Sequence, residues 1–232
     1  MFNEDQNASP INHVPAVVVL VCMVIGAVEL VLQAGEYGLI GGQNAVGWRL
    51  GAVTDYGFFN QVLSWMLENR KFPAEEMLRF FSYPFIHASF SSVIFAFVLV
   101  LAMGKMVAEV FSQAAFLVIF FASSIVGALV YAAVLDTRVP LIGAYPAAYG
   151  LIGAWTFIMW IRARHDGTNQ WRAFNLIGVL VLLQLFFGQV FGGGFGWVSE
   201  LGGFVTGFAL SFLLAPGARA RFQHWLEALR RR

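Results

Sequence analysis

Two short runs of this chain hold the side chains best placed for acid–base or nucleophilic chemistry. Gly143-Ala144-Tyr145-Pro146-Ala147-Ala148-Tyr149-Gly150 offers a phenol at Tyr145, and Ser199-Glu200-Leu201-Gly202-Gly203 offers a carboxylate at Glu200. Amide hydrolysis needs a hydroxyl activated by an adjacent base and a proton returned to the leaving amine. It also needs donors at the developing oxyanion, each contributing roughly 2.7–4 kcal/mol. A phenol with an ordinary pKa of about 10 and a carboxylate near 4.3 suit this poorly. The phenolate leaves too readily to hold an acyl group taken from an amide, and the carboxylate is a weak base toward an alcohol. Pro146 removes a backbone N–H from the turn that follows Tyr145. The serines near His87 do little better. Of Ser89, Ser91 and Ser92 only Ser91 stands four residues on, a spacing that makes a local polar contact more readily than a dyad. Ser199 and Glu200 are neighbours, about 100° apart on a helix. The single cysteine, Cys22, excludes an internal disulfide and a Cys-based metal site, and reads as a small buried hydrophobe. No metal and no cofactor is expected.

The elements that must carry these residues are membrane helices. Hydrophobic residues make up 59% of the 232 and charged residues 12%, with a mean hydropathy of +0.73. An ordinary soluble domain has about 25% charged residues and the polar surface that goes with them. Spans need about 20 mostly apolar residues, and six candidates are expected, near 15–34, 83–103, 112–135, 145–161, 174–191 and 198–215. The acidic start (Glu4, Asp5) lacks the basic n-region of a signal peptide, so the first span is expected to be retained.

Six spans put both termini on one side. Arginines in the 162–172 loop and in the tail (Arg219, Arg221, Arg230, Arg231, Arg232) place that side in the cytoplasm. Three segments follow: a polar 1–14, a membrane domain 15–215, and a basic amphipathic tail 216–232 with Phe222, Trp225, Leu226 and Leu229 on one face, suited to anionic headgroups. Within the first loop, about 36–82, Phe59, Val62, Leu63, Met66 and Leu67 fall at helical spacing. Pro73 with Glu75 and Glu76 starts a second helix, with Met77, Phe80 and Phe81 as its apolar side. Such helices are expected to lie in the outer interface. Glu29, an ionisable group inside the first span, is expected to snorkel to the interface; a functional polar contact with the first loop, or a proton-relay role, is the sharper alternative.

From about Trp48 to Gly207 the chain resembles the rhomboid intramembrane proteases, with three runs carrying the likeness. In the family a Gly-x-Ser-Gly run holds the nucleophile; here Gly143 is followed by Tyr145 in the serine position and Pro146 in that of the next glycine, while Tyr149 and Gly150 match. The family's catalytic histidine stands just before a Gly-Gly pair; here Glu200 takes its place ahead of Gly202 and Gly203, and Gly203 with Gly207 makes a small-xxx-small face for close helix contact. The family's His, His, Asn pattern of the second helix reads His87, Ser92, Ala96, so that of the two oxyanion positions Ser92 keeps a hydroxyl and Ala96 keeps no donor. Trp48-Arg49 resembles a pair that anchors the first loop in some rhomboids and their inactive relatives.

The resemblance implies an all-α membrane protein, a six-helix rhomboid-like bundle with an interfacial helical first loop and without the Ser/His dyad. It further implies an inactive rhomboid, a pseudoprotease, that binds transmembrane client proteins in the bilayer and no nucleic acid. The binding surface would be a lateral gate between helices two and five, where Phe174, Phe186, Phe187 and Phe191 stand. In a bacterium it would sit in the inner membrane. Tyr145 and Glu200 are expected to hydrogen-bond across the former dyad. An intramembrane peptidase with non-standard residues is the alternative. A small transporter fits less well, because spans three and four offer almost no polar residues to line a path and inverted repeats are not evident.

Overall fold

A computed structural model of the protein describes residues 13–182 and 194–215. Its helices are α1 (Ala16–Glu36), α2 (Trp48–Tyr56), α3 (Asn60–Asn69), α4 (Ala74–Ser82), α5 (Phe90–Val110), α6 (Gln113–Val134) and α7 (Tyr145–His165); then α8, described over 175–182, and α9 (Trp197–Leu214). Among the described residues no strand forms beyond one antiparallel bridge, Phe58 to Leu141. Several expected features lie outside the described residues: most of the polar 1–14 segment, Phe186, Phe187 and Phe191 of the gate, and the 216–232 tail.

Apolar length decides the main elements. α1, α5, α6 and α9 are each long and apolar enough to cross a membrane. α7 has the length, but its last turn carries Arg162, Arg164 and His165. It is instead the interior helix: Pro146 to Ala154 are all buried, packed among α5, α6 and α9. The main core joins Val18, Cys22 and Ile25 of α1 to Val93, Ala96 and Val100 of α5, Phe116 and Phe120 of α6, and Ala147 and Leu151 of α7.

The second span begins later than the apolar run suggests, at Phe90 rather than near 83. Pro84 sits in a short 3-10 turn, Tyr83–Phe85, and Ser89 with Ser92 forms a capping box that fixes the helix start. His87 therefore lies ahead of the helix, and the i, i+4 relation to Ser91 does not arise. The first loop holds three helices, α2 in addition to the two whose apolar spacing is legible in the sequence. α2 is short and glycine-interrupted with no buried residue, so it leaves no apolar periodicity to read. On α3 Met66 is buried but Leu67 is 58% exposed, and on α4 Phe80 is buried while Met77 and Phe81 are exposed.

Glycine sets how closely the interior helices meet. A Cβ on Gly203 would strike the Pro146 carbonyl, and one on Gly207 the Gly150 carbonyl. One on Gly153 would strike the Phe204 carbonyl. α7 and α9 thus touch backbone to backbone. Gly202 faces the other way, where a Cβ would stand 3.1 Å from the Val130 side chain of α6.

Candidate functional site

The start of α7 sits at the meeting point of α5, α6 and α9. Gly143 brings the chain there with φ +94°, a conformation that favours glycine, and its N–H donates to the Tyr83 carbonyl at 2.9 Å. The preceding strap is clasped to the first loop. Phe58 and Leu141 exchange backbone hydrogen bonds of 3.1 and 2.8 Å, Asn60 Nδ2 donates to the Leu135 carbonyl at 2.6 Å, and Gln61 Nε2 to that of Thr137 at 2.9 Å.

His87 is buried beside the start of α7. Its Nε2 accepts the Ala144 N–H at 3.3 Å, so the neutral ring carries its proton on Nδ1. Burial drives its pKa down to about 4, which keeps it neutral near pH 7. The Tyr145 ring stands edge-on to it, with centroids 6.5 Å apart. The Tyr145 hydroxyl donates to the backbone carbonyl of Ser92 at 3.0 Å. The phenol's single proton thus goes to the first turn of α5.

That arrangement corrects two expectations. The bond foreseen between Tyr145 and Glu200 is not what that proton makes; the tyrosine hydrogen-bonded to the buried Glu200 is Tyr149, one helical turn further along α7. The Ser92 hydroxyl is not turned toward an oxyanion. It donates to the Ser89 carbonyl at 2.7 Å and accepts the Ser89 N–H at 3.3 Å, as part of the cap. Ala96 is fully buried and offers no donor. Pro146, buried in the first turn of α7, packs against α6, where a Cβ on Gly127 would meet its side chain at 2.8 Å.

Arg49 is the centre of a second polar cluster. Its guanidinium grips Glu29 with two hydrogen bonds, Nη1 to Oε2 at 3.0 Å and Nη2 to Oε1 at 2.9 Å. Nη1 also donates to the His87 carbonyl at 2.9 Å, Nη2 to Gln33 Oε1 at 3.2 Å, and Nε to Glu36 Oε2 at 3.3 Å. Glu29 is 3% exposed. It does not snorkel, because a fork-shaped cation from α2 reaches it first. The neighbouring Trp48 ring lies on Gly35 and Gly41, where a Cβ would stand 2.8 and 2.7 Å from ring carbons.

Sequence reasoning missed several participants. Gln33 and Glu36 follow Glu29 at i+4 and i+7, one face of α1, a spacing that could have exposed them. Ser123 and Gly127 of α6 stand four apart, a small-residue pair: a Cβ on Gly150 would strike the Ser123 hydroxyl, and one on Gly127 would lie 2.7 Å from the Ser199 carbonyl. Gly153 continues the Gly150 face of α7. Among the described residues no group of three or more His, Cys, Asp or Glu side chains is placed to hold a metal ion.

The comparisons point one way. A family model described as the rhomboid domain matches residues 74–217. Over 132 residues the chain is 30% identical to Rhomboid-like protease 1 of Toxoplasma gondii. That match covers 56% of this chain and 44% of the relative, so it spans less than half of the relative's length.

Proposed function

The chain belongs to the rhomboid family and is an integral, multi-pass membrane protein; on that premise we propose that it binds transmembrane segments of other membrane proteins without cleaving them. The observation that carries this reading is the Tyr145 hydroxyl, whose proton goes to the Ser92 carbonyl at 3.0 Å. An alcohol becomes a nucleophile when a base takes its proton. A carbonyl oxygen is no such base, and the imidazole of His87 beside Tyr145 already accepts the Ala144 N–H. The Ser92 hydroxyl is tied into a helix cap, and Pro146 and Ala96 add no donor. The name of the Toxoplasma relative describes a protease, and it describes that protein.

In this reading the chain crosses the bilayer six times between about 15 and 215, with both termini in the cytoplasm. Helices α2 to α4 rest in the outer interface, and the 216–232 segment lies along anionic headgroups. The client docks between α5 and α8, where Phe95 and Phe174 offer apolar surface. In a bacterium the membrane is the inner one.

The test is a reconstitution in liposomes with a panel of transmembrane substrates. Wild type, Tyr145→Phe and Glu200→Gln are expected to leave every substrate whole. A photoreactive residue at position 95, which is 67% exposed on α5, is expected to crosslink a reconstituted transmembrane helix. Cleavage by wild type that disappears in both variants would refute this reading and establish a peptidase with non-standard residues.

A further inference from the structure

At the far end of α7 four aromatic rings, with Thr168, Asn169 and Gln170, line an open cavity of about 510 Å³. Trp160 comes from the last turns of α7, Trp171 and Phe174 from the 3-10 turn Gln170–Phe174, and Phe208 from α9. Ring centroids are 6.1 Å apart for Trp171 and Phe174, 5.7 Å for Phe174 and Phe208, and 6.1 Å for Trp160 and Phe208. The turn that forms the lip is tied down. Asn169 Oδ1 accepts the Trp171 N–H at 3.0 Å, and the Thr168 N–H donates to the Ala163 carbonyl at 2.9 Å.

Single tryptophans at a membrane surface are ordinary interfacial anchors. A concave set of four is different, because several rings then border one guest. Ring faces are the negative part of the aromatic quadrupole and attract an organic cation, a quaternary ammonium above all. The volume lies within the range of small-ligand pockets.

The flanking charge has the opposite taste. Arg162, Arg164 and Arg172 border the segment, and its one carboxylate, Asp166, is beside the His165 ring at 3.2 Å. Guanidinium groups favour phosphate. A cavity suited to a cation, in a segment whose flanking residues suit an anion, matches a molecule that carries both, joined by a short linker.

We propose that this cavity is a binding site for the headgroup of a zwitterionic phospholipid, with the ammonium group among the four rings and the phosphate at the arginines. The site lies at the opposite end of α7 from Tyr145; it shares Phe174 with the proposed client surface, whereas Trp160, Trp171 and Phe208 belong to the cavity alone. It would hold one lipid at a fixed place on the α7–α9 pair, where the bulk bilayer offers only exchanging neighbours.

Native mass spectrometry of the full chain, purified in an uncharged maltoside detergent and offered equimolar phosphatidylcholine and phosphatidylglycerol, tests it. Wild type is expected to retain phosphatidylcholine at least about fivefold over phosphatidylglycerol, the size of one exposed cation–π contact or more. Trp171→Leu and Phe174→Leu are expected to bring the ratio to about one, and Phe174→Tyr, which keeps the ring, to leave it unchanged. Trp171 is 78% exposed, so its replacement leaves the fold intact. Added glycerophosphocholine is expected to displace the lipid and inorganic phosphate at the same concentration to leave it bound. A wild-type ratio near one overturns the proposal, as does a preference that survives both leucine variants. So does displacement by phosphate alone, or tight binding of glycerophosphocholine with no preference between the two lipids.

Discussion

Replacing Arg49 by alanine strands a carboxylate inside the protein. Glu29 is 3% exposed and takes two of its hydrogen bonds, at 2.9 and 3.0 Å, from this one guanidinium. Removing one partner of a buried pair costs about 3–5 kcal/mol, because the other charge is left without compensation. The contact with the 49%-exposed Glu36 side chain adds little, since solvent screens it. For a chain of this size each kcal/mol moves the midpoint by about 2–4 °C. Arg49→Ala is therefore expected to lower the melting temperature in detergent by about 6–20 °C. The double variant Glu29→Met, Arg49→Met removes both charges and is expected to recover most of that loss, because a well-packed apolar pair is often neutral against a buried ion pair. Limited proteolysis gives a second reading: cleavage within the first loop accelerates in Arg49→Ala, since the bond to the His87 carbonyl goes too. The reasoning is wrong if Arg49→Ala lies within about 1 kcal/mol of wild type. It is equally wrong if the double variant melts no higher than the single.

Gly207→Ala drives a methyl into the Gly150 carbonyl, a backbone group that cannot swing aside. A loss of about 3 kcal/mol or more is expected by thermal denaturation, while Gly26→Ala, which meets nothing within 4 Å, is expected to be neutral or slightly stabilising. Tyr149→Phe deprives a buried carboxylate of its donor and is expected to cost about 1.5–3 kcal/mol, against about 0.5–1.5 kcal/mol for Tyr145→Phe, which frees only a peptide carbonyl; the reverse order of melting temperatures would contradict the hydrogen-bond assignment. His87 has a folded pKa of about 4, below its unfolded value near 6.5, so the unfolded chain binds the extra proton first. Its contribution is fully present above pH 6.5 and is lost as pH falls through the window down to 4, and stability followed over that range is expected to decline less steeply in His87→Gln.

The long apolar runs made three spans legible almost to the residue: 15–34, 112–135 and 198–215 against Ala16–Glu36, Gln113–Val134 and Trp197–Leu214. Hydropathy sees a helix only as composition, and that is why it misplaced the second. Phe85 and Ile86 are apolar, but the proline at 84 and the Ser89 cap decide where the helix begins. α2 was invisible for the opposite reason, since its residues face outward around an arginine whose partners lie up to 38 residues away. At the site, the sequence could place Tyr145, Tyr149 and Glu200 at the start of two adjoining helices. It could not choose which phenol meets the carboxylate. That depends on an offset of about one turn along the helix axis, and on a carbonyl at Ser92 that every residue type supplies.

The seam between α7 and α9 has a consequence for change over time. Its fit is made by main-chain atoms at Pro146, Gly150, Gly203 and Gly207, and substitutions elsewhere on the two helices leave those atoms where they are. The scaffold and its reactive corner are therefore separable: positions 145 and 200 can exchange one functional group for another while the two helices stay zipped. A fold built this way can shed a chemistry without shedding its shape, which leaves its membrane-facing surfaces available for other work.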